Sequence, residues 1–115
     1  MAYSRTEHIG RITLKDERLA LSSDGYSSAV RFRLAVDRDY KRRDGTIITD
    51  FFNCVAFGNL AEAISKYYKR GDTVFVTGRN MNVEWIDESN KERRRDEIVL
   101  ERCELIHRSG ERTDS

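Results

Sequence analysis

Apolar residues in this chain recur mostly at every second position, and that periodicity restricts the fold more than any other feature. In Val30-Arg31-Phe32-Arg33-Leu34-Ala35-Val36 the residues Val30, Phe32, Leu34 and Val36 alternate with Arg31, Arg33 and Ala35, as in a strand with one face on a core. A reversal is expected at Arg43-Asp44-Gly45-Thr46, where Asp-Gly supplies the backbone conformation a strand reversal needs. Ile47 to Phe57 makes the next strand. Thr73 to Ile86 is a further β-rich run whose alternation slips by one at Gly78, which predicts a bulge or sharp bend. Asp87 to Asn90 is polar loop, and Asp96 to Ile106 gives the last strand. Near the start, Ile9, Ile12 and Leu14 mark a first strand.

Only one segment has helical spacing. Leu60, Ala61, Ile64, Tyr67 and Tyr68 form an apolar stripe, with Asn59 and Glu62 as a capping pair at its start and Gly71 as its stop. The order is three strands, a helix and two strands. It predicts an all-β chain with one helix: the OB-fold, a five-stranded Greek-key β-barrel with an α-helix between strands 3 and 4, whose exposed face and loops bind oligonucleotides in many proteins. Proline is absent and the seven glycines fall singly, so no linker divides the chain. Residues 1–107 are expected to form one domain, and the polar tail 108–115 to stay disordered.

The 115 residues suffice for a core that needs neither disulfides nor a metal. No apolar run approaches the roughly 18 residues of a membrane helix, and Met1 to His8 has no apolar signal region, so no membrane association and a cytoplasmic location are expected. Cys54 and Cys103 each lie inside an apolar segment and read as small buried thiols in a reducing compartment. The net charge of +1 conceals a separation. Arg31 to Arg43 carries six cations against Asp37 and Asp39, and Lys91 to Arg95 is again basic, whereas the stretch from Asp96 onward is acidic. Arginine outnumbers lysine 16 to 5, and arginine is the cation that both forks onto phosphate and stacks on flat π-systems.

Asp50-Phe51-Phe52-Asn53-Cys54-Val55-Ala56-Phe57 is apolar on both faces of a strand. Phe52, Cys54 and Ala56 point one way; Phe51, Val55 and Phe57 point the other. One set fills a core; the other is either covered or forms an exposed binding surface. Tyr40 lies among Arg38, Lys41, Arg42 and Arg43, and Trp85 precedes a loop that returns through Arg93, Arg94 and Arg95. Aromatic rings among arginines suit a single strand of nucleic acid, whose unpaired bases stack while its backbone follows the cations. A duplex hides those base faces, and no recognition-helix candidate is present.

These residues resemble the bacterial single-stranded DNA-binding protein family from about Ile9 to Ile106. Phe32-Arg33-Leu34-Ala35-Val36 is similar to that family's second strand. Asp50 to Gly58 with Leu60-Ala61-Glu62 is similar to its third strand and helix start, and Tyr68-Lys69-Arg70-Gly71 with Gly78-Arg79 to its helix end and fourth strand. The resemblance implies a homotetramer, or a dimer, that coats single-stranded DNA without strong sequence preference in replication, recombination and repair. It implies stacking by Tyr40, Phe51, Phe57 and Trp85, and phosphate contacts from Arg33, Arg38, Lys41, Arg42, Arg43, Arg79, Arg93, Arg94 and Arg95. The chain departs from the family in its polar start, in the lack of prolines around Asp16-Glu17-Arg18, and in stopping at Arg112-Thr113-Asp114-Ser115 without an acidic, hydrophobic tip. The sequence as given is either a short natural variant or a truncated form, and in both cases the resemblance leaves recruitment of replication proteins through such a tip in doubt.

Catalysis, a metal site and a cofactor are not expected. His8 and His107 are isolated, no Cys or His spacing suits zinc, and no Gly-rich phosphate loop is present. Alternatives with the same fold are a primosomal accessory protein, an RNA-binding protein, or a protein-interaction module that buries Phe51 and Phe57 against a partner.

Overall fold

The computed structural model describes residues 3–13, 21–23 and 28–110. Its elements are β1 (Thr6–Thr13), β2 (Leu21–Ser23), β3 (Ser28–Lys41), β4 (Ile47–Phe57), α1 (Gly58–Tyr67), β5 (Thr73–Ile86) and β6 (Glu92–His107). The five long strands close in the order β1, β5, β6, β4, β3 and back to β1, with β2 a short addition beside β3. All neighbours run antiparallel except β4 and β6, which meet in parallel at Cys54↔Ile98 and Val55↔Val99. This is the OB-fold barrel, its helix between the third and fourth barrel strands.

The alternation places the core. Val30, Phe32 and Leu34 of β3, Cys54 and Ala56 of β4, Val74 and Val76 of β5, and Ile98 and Leu100 of β6 point inward, joined by Ile12 of β1 and by Ala61 and Ile64 of α1. Ile9 is exposed, because a spacing of three puts it on the strand face opposite Ile12. Leu14, and the segment around Asp16-Glu17-Arg18, lie outside the described residues, as do positions 111–115.

Closure brings backbones close at two glycines. β1 serves both β5 and β3, and a Cβ on Gly10 would lie 2.5 Å from the Ala35 carbonyl oxygen. At Gly78 a Cβ would lie 2.3 Å from the Val99 carbonyl oxygen. The expected bulge is there, but the register runs Thr77↔Arg102 and then Gly78↔Leu100, so the extra residue is Glu101 on β6.

Two helix-end expectations are corrected. No side chain caps α1: Phe57 is the N-cap residue, and Asn59 and Glu62 lie inside the helix, which begins earlier, at Gly58 (φ 62°). The helix ends at Tyr67, and Tyr68 donates to the Ile64 carbonyl. Gly71 instead turns the loop beyond, at φ 92°, and donates to the Ile12 carbonyl. Fully buried Asp72 ties that loop down, accepting from the backbone N–H of Lys69 and of Ser109. The chain is thus fastened beyond His107, and Arg108 also donates to the Tyr67 carbonyl.

Candidate nucleic-acid interface

Antiparallel partners share a sheet face, so the register defines the outer surface of the barrel. On β3 and β4 it carries Arg31 opposite Val55, Arg33 opposite Asn53 and Ala35 opposite Phe51, with Phe57 opposite Ala29. The pair Val55↔Val99 continues it onto β6, and Arg79↔Val99, Met81↔Glu97, Val83↔Arg95 and Trp85↔Arg93 carry it onto β5. Phe51, Phe57 and Trp85 therefore stand on one continuous face.

The two-faced strand is resolved by exposure. Phe51 is 50% and Phe57 46% exposed, while Val55 between them is fully buried, flanked by Arg31 and Val99. Trp85 is 42% exposed. Two of these rings carry an arginine. The guanidinium of Arg33 lies 4.5 Å from the Phe51 ring centre, and that of Arg95 lies 5.3 Å from the Trp85 ring, within cation–π range.

Tyr40 is 59% exposed but belongs to a different group. Arg38 donates to the Tyr40 hydroxyl at 2.9 Å and forks onto both oxygens of Asp50 at 3.0 Å. Asp50 is the β4 partner of Val36 and alternates with Phe51, so this cluster stands on the hairpin face that continues the core side. The fork holds the Asp50 carboxyl below its ordinary range, chiefly through the Arg38 hydrogen bonds.

The expected phosphate contacts divide likewise. Lys41, Arg42 and Arg43 are exposed at the β3–β4 turn, which Arg42 closes by bonding Thr46 and Gly45. Arg33, Arg79, Arg93 and Arg95 share the face of the three rings, whereas Arg94 pairs with Glu84 and so points to the other side of the β5–β6 ribbon. Several arrive already paired: Arg38 with Asp50, Arg93 with Asp87 at 2.7 Å and Arg95 with Glu97 at 3.1 Å. The bond from Arg93 holds Asp87 below the usual carboxylate range, with the Lys91 and Ser89 N–H groups adding to it. That pair fastens the turn at the end of the ribbon.

Sequence reasoning missed Arg31 and Glu97. Arg31 is two residues from Arg33 on the same strand, so the alternation that singled out Arg33 applies equally to it. Glu97 is counted among the closing acids by composition, yet its side chain is 8% exposed and receives both Arg31 and Arg95. Its only signal is the i, i+2 spacing from Arg95. Among the described residues, no cluster of His, Cys, Asp and Glu is arranged to hold a metal ion, and no helix is long and apolar enough to cross a membrane.

Residues 4–106 match the model of the single-strand binding protein family. A protein named single-stranded DNA-binding protein 1 from Streptococcus pyogenes serotype M18 is 32% identical over 100 residues, covering 87% of this chain and 75% of the relative. Proteins named single-stranded DNA-binding protein from Clostridium perfringens and Helicobacter pylori are 31% and 27% identical, over 85% and 95% of this chain but only 62% and 61% of their own lengths.

Proposed function

This chain belongs to the single-strand binding protein family, and on that premise we propose that it binds and coats single-stranded DNA without strong sequence preference, in replication, recombination and repair. The observation that carries the reading is the row of half-exposed rings on one barrel face with arginines over them, Arg33 on Phe51 and Arg95 on Trp85. Each guanidinium covers a flat ring face that a base takes over by stacking. The displaced arginine then turns to the adjoining phosphate, so that one exchange yields a stack and a charged hydrogen bond. Because every base has a π-face, the contact is tolerant of sequence. Lys41, Arg42 and Arg43 extend the cationic track along the hairpin, where Tyr40 offers a further ring.

The protein acts by binding and not by catalysis, in the cytoplasm, as a homotetramer or a dimer. Exposed Ile9 on the outer wall of β1 supports self-assembly, since it offers an apolar contact to a second copy. Titration with oligo-dT, followed by Trp85 fluorescence, tests the reading. Quenching by single-stranded DNA, with duplex of equal length far weaker, is the expected result; an equal response to both would overturn it. Single-stranded RNA alongside distinguishes a DNA coat from an RNA-binding protein of the same fold.

A further inference from the structure

Glu97 is a buried acid in a face otherwise built to receive anions. Its Oε2 takes Arg95 at 3.1 Å and Arg31 at 3.6 Å, and these two side chains remain 44% and 53% exposed. A carboxylate at that depth persists when paired charge compensates its lost hydration. Beside it lies a cleft of about 340 Å³ lined by Arg31, Arg33, Arg95, Glu97, Asn53 and Thr13. Asn53 donates its amide to the Asp96 carbonyl, and the Thr13 hydroxyl donates to the Arg33 carbonyl, so both walls are fixed. Three arginines from two strands thus line one open cleft, together with Phe32 and Cys54, and the Arg33 guanidinium lies over the Phe51 ring. Two guanidinium groups that meet on one carboxylate oxygen suit an oxyanion, and in the free protein Glu97, on the wall of the cleft, takes that part.

We propose that this cleft is a phosphodiester subsite for the DNA backbone, with Arg31 as a further phosphate ligand, and that Glu97 is a positioning residue which holds the subsite by competing with DNA for Arg31 and Arg95. The inference rests on the single-strand reading above. In the free protein Glu97 orders the two arginines and neutralises part of their charge. When a strand stacks on Phe51 and Trp85, a phosphate enters between those rings and takes the outward-facing donors of the two guanidinium groups, which stay beside Glu97 and keep its buried charge compensated. The two arginines are open enough to solvent to make that contact without moving the barrel. The internal carboxylate keeps its share of them throughout, which weakens the grip and speeds release.

The test is a set of oligo-dT titrations across a salt series with wild type, Glu97→Gln, Arg31→Ala and the double variant. Glutamine keeps the shape and removes the competing charge. Glu97→Gln is expected to bind roughly five- to tenfold more tightly at low salt, in line with removal of one nearby like charge from the ligand's site. Its log-affinity against log-salt slope should steepen by about 0.7, one further phosphate neutralised. Arg31→Ala should make the slope shallower by a similar amount, and adding it to Glu97→Gln should cancel most of the gain. An unchanged or shallower slope in Glu97→Gln overturns the proposal, because a purely structural role would alter stability and not the number of phosphates engaged. Should Glu97→Gln fail to fold, Arg31→Ala alone decides: an unchanged slope overturns the subsite. If wild type itself does not quench with oligo-dT, the single-strand reading fails and the subsite falls with it. If wild type binds and only the variant slopes disagree, the subsite alone is lost.

Discussion

Phe57 and Cys54 sit three residues apart on one strand and face opposite worlds, which makes their substitutions separable. The Phe57 ring lies outside the core cluster and is 46% exposed. Phe57→Ala should therefore weaken oligo-dT binding by about 1–3 kcal/mol, the size of one lost base stack. The melting temperature should barely move; severe destabilisation would place the ring in the core. Cys54 faces inward and is fully buried, and burial pushes its thiol up from an ordinary 9.0 to about 12; Cys103 is pushed to about 12 by the same cause. Both thiols stay protonated near neutral pH, and the nucleophile is the thiolate. Native protein should thus label with iodoacetamide far more slowly than the unfolded chain. The raised values also set a sign for stability: the unfolded thiols ionise above about 9 while the folded ones resist, so their contribution is complete below that pH and is lost as pH climbs toward 12. Melts at pH 8 and pH 10 should show the fall, and replacing both cysteines by alanine should flatten it. Native thiols that label at the rate of a free cysteine would contradict the burial.

The barrel closes only because two strands approach others without a side chain between them. Gly78→Ala would drive a Cβ against the Val99 carbonyl, and Gly10→Ala against that of Ala35. Neither obstacle is a flexible side chain, so each substitution should cost about 1–3 kcal/mol, as overpacking does, measured by denaturant unfolding. A loss below that range would mean that the facing strands slide apart there, β5 and β6 at Gly78 or β1 and β3 at Gly10. Gly78 also marks how far the strands were legible in the sequence. Ile47 to Phe57 and Thr73 to Ile86 coincide with β4 and β5, because their alternation and bounding turns are local. β6 begins at Glu92, four residues before the expected start, since Arg93, Arg94 and Arg95 read as loop by polarity but pair across to Trp85, Glu84 and Val83. That pairing is a property of two strands together, and no window on one of them contains it. The three-residue β2 gains its place from β3 in the same way. At the start of α1, Asn59 and Glu62 have the spacing of a capping box, yet the left-handed turn at Gly58 starts the helix earlier and takes both residues into it. For the candidate site, the exposed rings were legible through the doubled apolar faces of β4. The ion pairs were not, because Glu97 and Arg31 meet across three strands that only the closed sheet brings together.

Net charge of +1 is compatible with a polyanionic partner once the positions of the acids are known. Asp50, Asp87 and Glu97 each neutralise an arginine on or beside the binding surface: Arg38, Arg93, and Arg95 together with Arg31. Cations that begin in ion pairs release fewer counterions when a phosphate replaces the carboxylate, so nine basic candidates do not count as nine. With about four phosphates effectively neutralised, log affinity should fall against log salt with a slope of about −3, a tens-fold loss between 50 and 200 mM. Engagement of all nine would give a slope near −6 by the same relation. The remaining affinity comes from stacking, which salt screens little and which a duplex cannot supply. Duplex DNA, limited to the electrostatic part, should therefore bind weakly at 50 mM salt and fade by 200 mM while oligo-dT remains bound. Parallel titrations at the two salt concentrations check this. A flat response for oligo-dT would point to Phe51 and Phe57 as a protein-docking surface, whereas a slope near −6 with comparable duplex binding would mean that phosphate contacts, and not the rings, govern recognition.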